Sequence, residues 1–198
     1  MATIEFSPVR FYGACSDAFY FDSKMDQADL DSDTFRISIQ CFKYLIRNRD
    51  NKFLLLHNKR QFQVQDLTTQ QQCHADCKFN IQIYQNSALE NRKGRAVMLY
   101  ANKDGQKMVA CCSEKHEIYP LAMDLPDTID ETAHKSLFYL IKLSASDQYM
   151  FESSMYPSKF LGFEPVEGNP SLNRLVLQEC RYDEVDEHCQ VILSPCME

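Results

Sequence analysis

The chain has no tryptophan and only 5 glycines among its 198 residues. So little glycine argues against phosphate-cradling loops, whose backbone must approach a ligand closely. The patterns G-x-S-x-G, H-E-x-x-H, G-x-x-x-x-G-K-[ST] and G-x-G-x-x-G are all absent, which removes the commonest hydrolase, metalloprotease and nucleotide-binding signatures. His57, His74, His116, His134 and His188 sit in polar sequence contexts, as surface histidines do. No catalytic constellation, and no cofactor, is expected. No apolar run approaches the roughly 18 residues of a membrane-spanning helix. Met1 to Asp17 lacks the charged-then-apolar pattern of a secretory leader. The one Asn-x-Ser sequence, at Asn169, is blocked as a glycosylation site by Pro170. The expectation is synthesis in the cytosol, with any export by a route that bypasses the secretory pathway.

Basic charge is also scarce. The net charge is −7, and residues 1–33 hold Glu5, Asp17, Asp22, Asp26, Asp29, Asp31 and Asp33 against Arg10 and Lys24. That segment carries −5, leaving −2 for residues 34–198. Nucleic acid, which demands a concentrated basic surface, is excluded as a partner.

Cysteine is present in an odd number, 9, without framework spacing. In a reducing compartment these residues stay thiols. Cys73-His74-x-x-Cys77 and the later group Cys180, His188, Cys189 and Cys196 lack paired C-x-x-C spacing, so no structural zinc is expected. Adjacent Cys111 and Cys112 should point to opposite faces of a strand, one buried and one exposed.

What the chain does have is short apolar runs divided by polar turns. Strands are predicted at 42–47, 52–57, 61–67, 78–84, 95–101, 107–112, 137–143, 149–152, 159–163, 174–178 and 189–193. Phe79, Ile81 and Ile83 show the period of two most clearly. Asn48–Asn51 and Asn102–Gly105 have turn chemistry, Asp104-Gly105 being a hairpin signal, and Pro157, Pro165 and Pro170 punctuate the later half. Many short strands at near-regular spacing mean an all-β sandwich or closed barrel. The best helix signal is 127–135, after Pro126, capped by Asp127 or Thr128. Residues 22–33, with five aspartates, are too polar to repay their ordering entropy and read as a solvated linker. An apolar cluster, Phe6 to Phe21, precedes them.

Phe151-Glu152-Ser153-Ser154-Met155-Tyr156-Pro157-Ser158-Lys159-Phe160-Leu161 resembles the signature of the interleukin-1 cytokine family. That signature is an aromatic, a spacer, serine and a small residue, two spacers, proline, two spacers and two apolar residues. Gly162-Phe163 then replaces the usual small residue and threonine, a departure that suits the family's divergent branch. Phe19-Tyr20-Phe21, the acidic linker and Leu30-Asp31-Ser32-Asp33-Thr34-Phe35 resemble the pro-segment and processing site of that branch. Leu45-Ile46-Arg47-Asn48 with Phe53-Leu54-Leu55 resembles its first two mature strands, and Gly94-x-Ala96-Val97 its mid-chain strand.

The resemblance implies an all-β fold, a β-trefoil barrel at 34–198, preceded by an acidic inhibitory pro-segment at 1–33. It implies a monomeric precursor, inert in the cytosol, cut after aspartate by an inflammatory caspase and released through membrane pores. The mature form would bind a heterodimeric receptor of alpha and beta subunits to start inflammatory, interferon-gamma-inducing signalling, and a soluble decoy protein would sequester it. Phe19-Tyr20-Phe21 would pack on the barrel or replace one of its edge pairings until cleavage. Another cytokine or a non-signalling antagonist of the same family is the alternative. A growth factor of the same architecture should be strongly basic, which this chain is not.

Asp33 is by default one solvated aspartate in an acidic run. The resemblance makes it the residue before the cut, with Leu30 three positions earlier, Thr34 as the new N-terminus and Asp31 as competitor. The basic turns Arg47-Asn48-Arg49, Lys52, Lys59-Arg60 and Arg92-Lys93-Gly94-Arg95 read ordinarily as solvated loop charge; the alternative is a receptor face, because loops on a rigid barrel are where binding residues concentrate. The resemblance singles out Arg47, Asp66 and Leu67 for the first receptor subunit, with Asn51 where the family has an acidic contact. It matches Lys115 to a basic contact for the second subunit, next to a local insertion around His116.

Asp33→Ala is expected to slow inflammatory-caspase cleavage at least ten-fold and to abolish the Thr34 N-terminus, read by gel and N-terminal sequencing; a variant cut as fast as the unaltered chain contradicts the assignment.

Overall fold

The computed structural model describes residues 10–15, 18–22, 34–86, 94–143, 147–180 and 187–196. The chain divides into two units, Met1–Ser32 and Asp33–Glu198. In the first, β1 (Arg10–Cys15) and β2 (Ala18–Asp22) form an antiparallel hairpin with a register shift between Phe11 and Gly13. Phe19-Tyr20-Phe21 therefore lies in a strand of its own hairpin.

The second unit holds β3 (Phe35–Arg47), β4 (Phe53–His57), β5 (Gln61–Gln65), β6 (Phe79–Asn86), β7 (Arg95–Lys103), β8 (Gln106–Cys112), β9 (Ile118–Ala122), β10 (Thr128–Ile129), β11 (Phe138–Lys142), β12 (Gln148–Ser153), β13 (Lys159–Val166), β14 (Asn169–Glu179) and β15 (Val191–Pro195). Six of these close a ring: β3 pairs β6, β6 pairs β7, β7 pairs β11, β11 pairs β12, β12 pairs β15, and β15 returns to β3. Between ring strands lie three hairpins, β4–β5, β8–β9 and β13–β14. The hairpins meet: β5 pairs β14, and Glu117 bridges Val176. Ring strand, hairpin, ring strand, repeated three times, is a β-trefoil.

The apolar pattern follows the same repeat. Each hairpin gives four buried side chains to one core: Leu54, Leu56, Phe62 and Val64; Met108, Ala110, Cys112 and Ile118; Leu161, Phe163, Leu175 and Leu177. The ring fills the rest, with Phe79, Val97, Phe138 and Phe151 among the contributors. Truncating one such phenylalanine to alanine would cost about 3–5 kcal/mol.

A second core lies on the outer side of β7 and β8. Val97, Leu99 and Ala101 face the barrel interior, while Ala96, Met98 and Tyr100 face the second cluster with Phe35, Val109, Cys111 and Ile129. Cys111 and Cys112 do point oppositely, but both are buried, because this second cluster covers the face that was expected to be exposed. The same cluster explains why 127–135 is no helix. Ile129 pairs with Phe35 in β10 and is buried, Ile37 N–H donates to Asp127 C=O at 2.8 Å, and Tyr84 OH donates to Pro126 C=O at 2.8 Å. One large apolar residue cannot furnish a helix face, whereas a strand needs only that residue. The α-helix, Thr69–Gln72, lies elsewhere and carries a capping box on Thr68 and Gln71.

Most strand ends shift by one to five residues, β13 and β14 running on through Pro165 and Pro170. Two larger differences, the early start of β3 and a β9 where no strand was predicted, have local reasons. β3 begins at Phe35, seven residues before its predicted start, because a bulge at Ser38–Gln40 breaks the alternation. The buried Gln82 amide holds that bulge, donating to Ser38 C=O at 2.6 Å and Gln40 C=O at 3.1 Å. β9 contains Pro120 and pairs only with β8, an edge position that tolerates a missing N–H. Asp104 and Gly105 both have positive φ, 51° and 75°, joining β7 to β8 in a two-residue turn of the type their sequence signals.

All eight described cysteine side chains are thiols. Burial pushes Cys77, Cys111 and Cys112 up to about 11, while Cys41 and Cys73 are exposed. Alkylation needs the thiolate, which at pH 8 is only ~0.1% of a thiol with such a pKa. In the native protein iodoacetamide at pH 8 is therefore expected to label Cys41 and Cys73 at least ten-fold faster than Cys77, Cys111 or Cys112, by peptide mass spectrometry.

Candidate functional site

The residues assigned to receptor contacts fall at two corners of the barrel. At the first, β3 ends in Arg47, which lies opposite Phe53 of β4 on one side and Ile192 of β15 on the other. The turn that follows is locked by Asn48, itself buried. Its backbone N–H donates to Lys52 C=O at 3.0 Å, its Oδ1 accepts from Lys52 N–H at 2.9 Å, and its carbonyl accepts from Asn51 N–H at 3.2 Å. Asn51 adopts φ 62°, a conformation asparagine tolerates. That places Asn51 Oδ1 at 3.0 Å from Arg47 Nη1, which donates to it.

This contact has an electrostatic consequence. An aspartate at 51 would neutralise the guanidinium; the asparagine amide orients it and leaves its charge uncompensated. Arg47 is half-buried and keeps further N–H groups, so it can engage a carboxylate on another protein. Arg49 next to it forms an ion pair with Glu187, side chains 44% and 69% exposed. At such exposure the pair adds little stability.

Asp66 and Leu67 belong to the same corner. Gln65 ends β5 opposite Phe53, which itself lies opposite Arg47. Two strand spacings, about 10 Å, separate Arg47 from this strand end. Asp66 is exposed and Leu67 half-buried. The chain beyond is fixed: Thr68 N–H donates to Gln71 Oε1 at 2.8 Å, and Gln72 Nε2 donates to Leu67 C=O at 3.2 Å. A cation, an anion and an apolar side chain thus share one rigid corner.

Lys115 is not part of it. It sits exposed in the β8–β9 turn, where Ser113 Oγ accepts from the backbone N–H of Lys115 at 3.2 Å and of Glu117 at 3.1 Å. His116 has φ 60° and its ring meets Tyr156 edge-on at 4.5 Å. Tyr156 OH donates to Ser113 C=O at 3.2 Å, and Leu177 N–H donates to His116 C=O at 3.1 Å. Thr34 lies at the other end of β3 from Arg47, roughly 40 Å of strand contour away at ~3.3 Å per residue. Leu30, Asp31, Asp33, Arg92 and Lys93 lie outside the described residues.

The Phe151–Leu161 sequence acquires a physical meaning here. Phe151 fills the barrel core. Ser153 is buried, its Oγ accepting from Tyr156 N–H at 3.1 Å and lying 3.5 Å from Cys112 Sγ. Ser154 Oγ accepts from His134 N–H at 3.1 Å and donates to His134 C=O at 2.9 Å. Ser158, at φ 65°, donates its N–H to Glu152 Oε1 at 2.9 Å. The motif is thus a turn satisfied by its own side chains, and through Tyr156 it supports the Lys115 loop. In the sequence pattern Tyr156 reads as a spacer and His116 only as the place of a local insertion, so neither was expected to support the Lys115 turn. Among the described residues no three His, Cys, Asp or Glu side chains gather to hold a metal ion.

Comparison with known proteins agrees with the fold. The chain is 30% identical to mouse interleukin-18 over 136 residues, covering 69% of this chain and 68% of that protein. The crystal structure of chicken interleukin-1 beta superposes with a TM-score of 0.60 at 17% identity, over 81% of this chain and 99% of that one. A mosquitocidal holotoxin also superposes, with a TM-score of 0.56 at 15% identity, over 81% of this chain and 18% of that one. These structural likenesses show the trefoil alone. No family model matches the chain.

Ser153→Ala is expected to lower unfolding free energy by about 1–3 kcal/mol, because it leaves the Tyr156 N–H without its acceptor. Urea denaturation measures this; an unchanged midpoint contradicts the reading of the motif as a turn lock.

Proposed function

The chain belongs to the interleukin-1 family of cytokines, which are not enzymes, and from that premise we propose that it is an interleukin-18-type precursor. In this reading an inflammatory caspase cuts between Asp33 and Thr34. The product, residues 34–198, leaves the cell by an unconventional route and binds the alpha and beta subunits of an interleukin-18 receptor. The outcome is inflammatory, interferon-gamma-inducing signalling, limited by a soluble decoy binding protein. The precursor stays cytoplasmic and inert while residues 1–33 are attached.

The observation that carries the reading is the Arg47 corner. It holds a cation oriented by a neutral amide, with Asp66 and Leu67 just past the end of β5, two strands away. Such a corner suits a protein partner, where oppositely charged groups fix specificity and an apolar contact adds affinity. The position of the cut supports it too. Every strand of the trefoil lies between Phe35 and Pro195, so cleavage before Thr34 removes none of them. Lys115, on its own turn, is assigned to the second subunit.

The two corners give separable outcomes. Arg47→Glu in the 34–198 form should weaken binding to the interleukin-18 receptor alpha ectodomain at least thirty-fold by surface plasmon resonance, with an unchanged circular dichroism spectrum. Lys115→Glu should keep alpha binding and lose recruitment of the beta subunit. A folded Arg47→Glu variant with undiminished affinity contradicts the assignment.

A further inference from the structure

The barrel has two unlike ends. β3, β7 and β12 run into their hairpins at Arg47, Lys103 and Ser153, and the hairpins cover that end. At the other end a cavity of about 550 Å³ opens, lined by residues from all six ring strands. A volume in the range ~300–1,000 Å³ is typical of small-ligand sites. Ile81 and Ile83 are its buried floor, and Leu140 and Leu193 its half-buried walls. Tyr44 and Tyr149 line it as well, and Phe42 stays 42% exposed at its edge.

The rim carries charge of one sign. Arg95 lies opposite Leu140, and Lys142 is two residues further along β11. Arg95 and Lys142 are therefore diagonal neighbours, about 7–8 Å apart at the backbone, so two long side chains can reach one anion. Both are exposed, and among the described residues neither has a carboxylate within ion-pair distance, whereas Arg49, Lys59, Lys103 and Arg174 all do. Lys142 Nζ lies 5.9 Å from the centroid of the Tyr149 ring, a contact that keeps it over the mouth. In a chain of net charge −7, the mouth thus sets two cations over a pit floored by Ile81 and Ile83.

We propose that this mouth binds a single-chain anionic amphiphile of the fatty-acid type. The carboxylate bridges Arg95 and Lys142, and the alkyl chain descends against Ile83, Leu140 and Leu193 to Ile81. A cationic amphiphile meets the wrong rim, and a bare anion leaves the apolar pit in contact with water. The site uses none of Arg47, Asn51, Asp66, Leu67 and Lys115. Arg95 does belong to one of the basic turns weighed as a receptor face, so the test reads decanoate and not receptor, and the site stands or falls separately from the proposed function.

The test is calorimetric titration of the full 198-residue chain with decanoate below its micellar concentration. Decanoate should saturate at one per chain. Octanoate should bind on the order of ten-fold more weakly, since each methylene buried contributes roughly four-fold. Decyltrimethylammonium and inorganic phosphate should show no saturable binding. Arg95→Glu with Lys142→Glu should weaken decanoate at least ten-fold with an unchanged melting temperature. Should that double variant lose its fold, Lys142→Gln alone, a neutral change at an exposed side chain, should weaken decanoate measurably. Amide chemical shifts should move at Leu140, Tyr149 and Leu193. Absence of saturable decanoate binding overturns the proposal, as does equal binding by the folded charge variants. So do equal binding of the cationic amphiphile, phosphate binding as tightly as decanoate, and shifts confined to residues outside the mouth.

Discussion

The structure depends on ring closure by its last strand. β15, five residues from Val191 to Pro195, bonds to β12 on one side and to β3 on the other. Without it β3 and β12 would present unpaired edges, and an open edge is a template for aggregation. Its Val191 and Leu193 fill gaps between ring strands, so closure and core filling come from the same residues. Stability is therefore non-local: residues near 45 and near 193 must find each other before the barrel has an inside. Such topologies fold slowly compared with helical proteins.

Closure also decides where binding residues can sit. A ring buried inside and partly covered outside has no free edge and little free face, which leaves the corners and the mouth as places for exposed binding side chains. The Arg47 corner is where β15 and β4 both meet β3, which makes it rigid through two neighbours. The Lys115 turn is held differently, by Tyr156 from the serine-proline turn and by β14. Each corner presents charge on a fixed backbone, and fixed presentation lowers the entropic cost of association.

Much of the fold was legible because the sequence is locally consistent. Phe79, Ile81 and Ile83 alternate as a strand must, and Asp104-Gly105 accepts the two positive φ values its hairpin needs. β7 and β8 were legible as apolar runs, but not that both faces are covered; the residues that cover them, Phe35 and Ile129, come from distant positions. The bulge at Ser38–Gln40 hid the first half of β3, since its determinant is the Gln82 amide 42 residues downstream of Gln40. The helix expected at 127–135 had good end signals and almost no apolar face, and tertiary pairing with β3 prevailed. At the candidate site, Arg47, Asp66 and Leu67 could be named from family likeness, but their meeting at one corner needed the β3–β4–β5 register. The role of Asn51 in orienting Arg47 depends on a positive φ that sequence does not display.

The central claim is that residues 34–198 form a receptor ligand and residues 1–33 withhold it. Binding of both forms to interleukin-18 receptor ectodomains tests this most directly. The account predicts that the 34–198 form binds and that the 198-residue chain does not. Failure of both to bind, with each shown to be folded, would contradict the receptor assignment; equal binding by both would contradict the withholding role of residues 1–33.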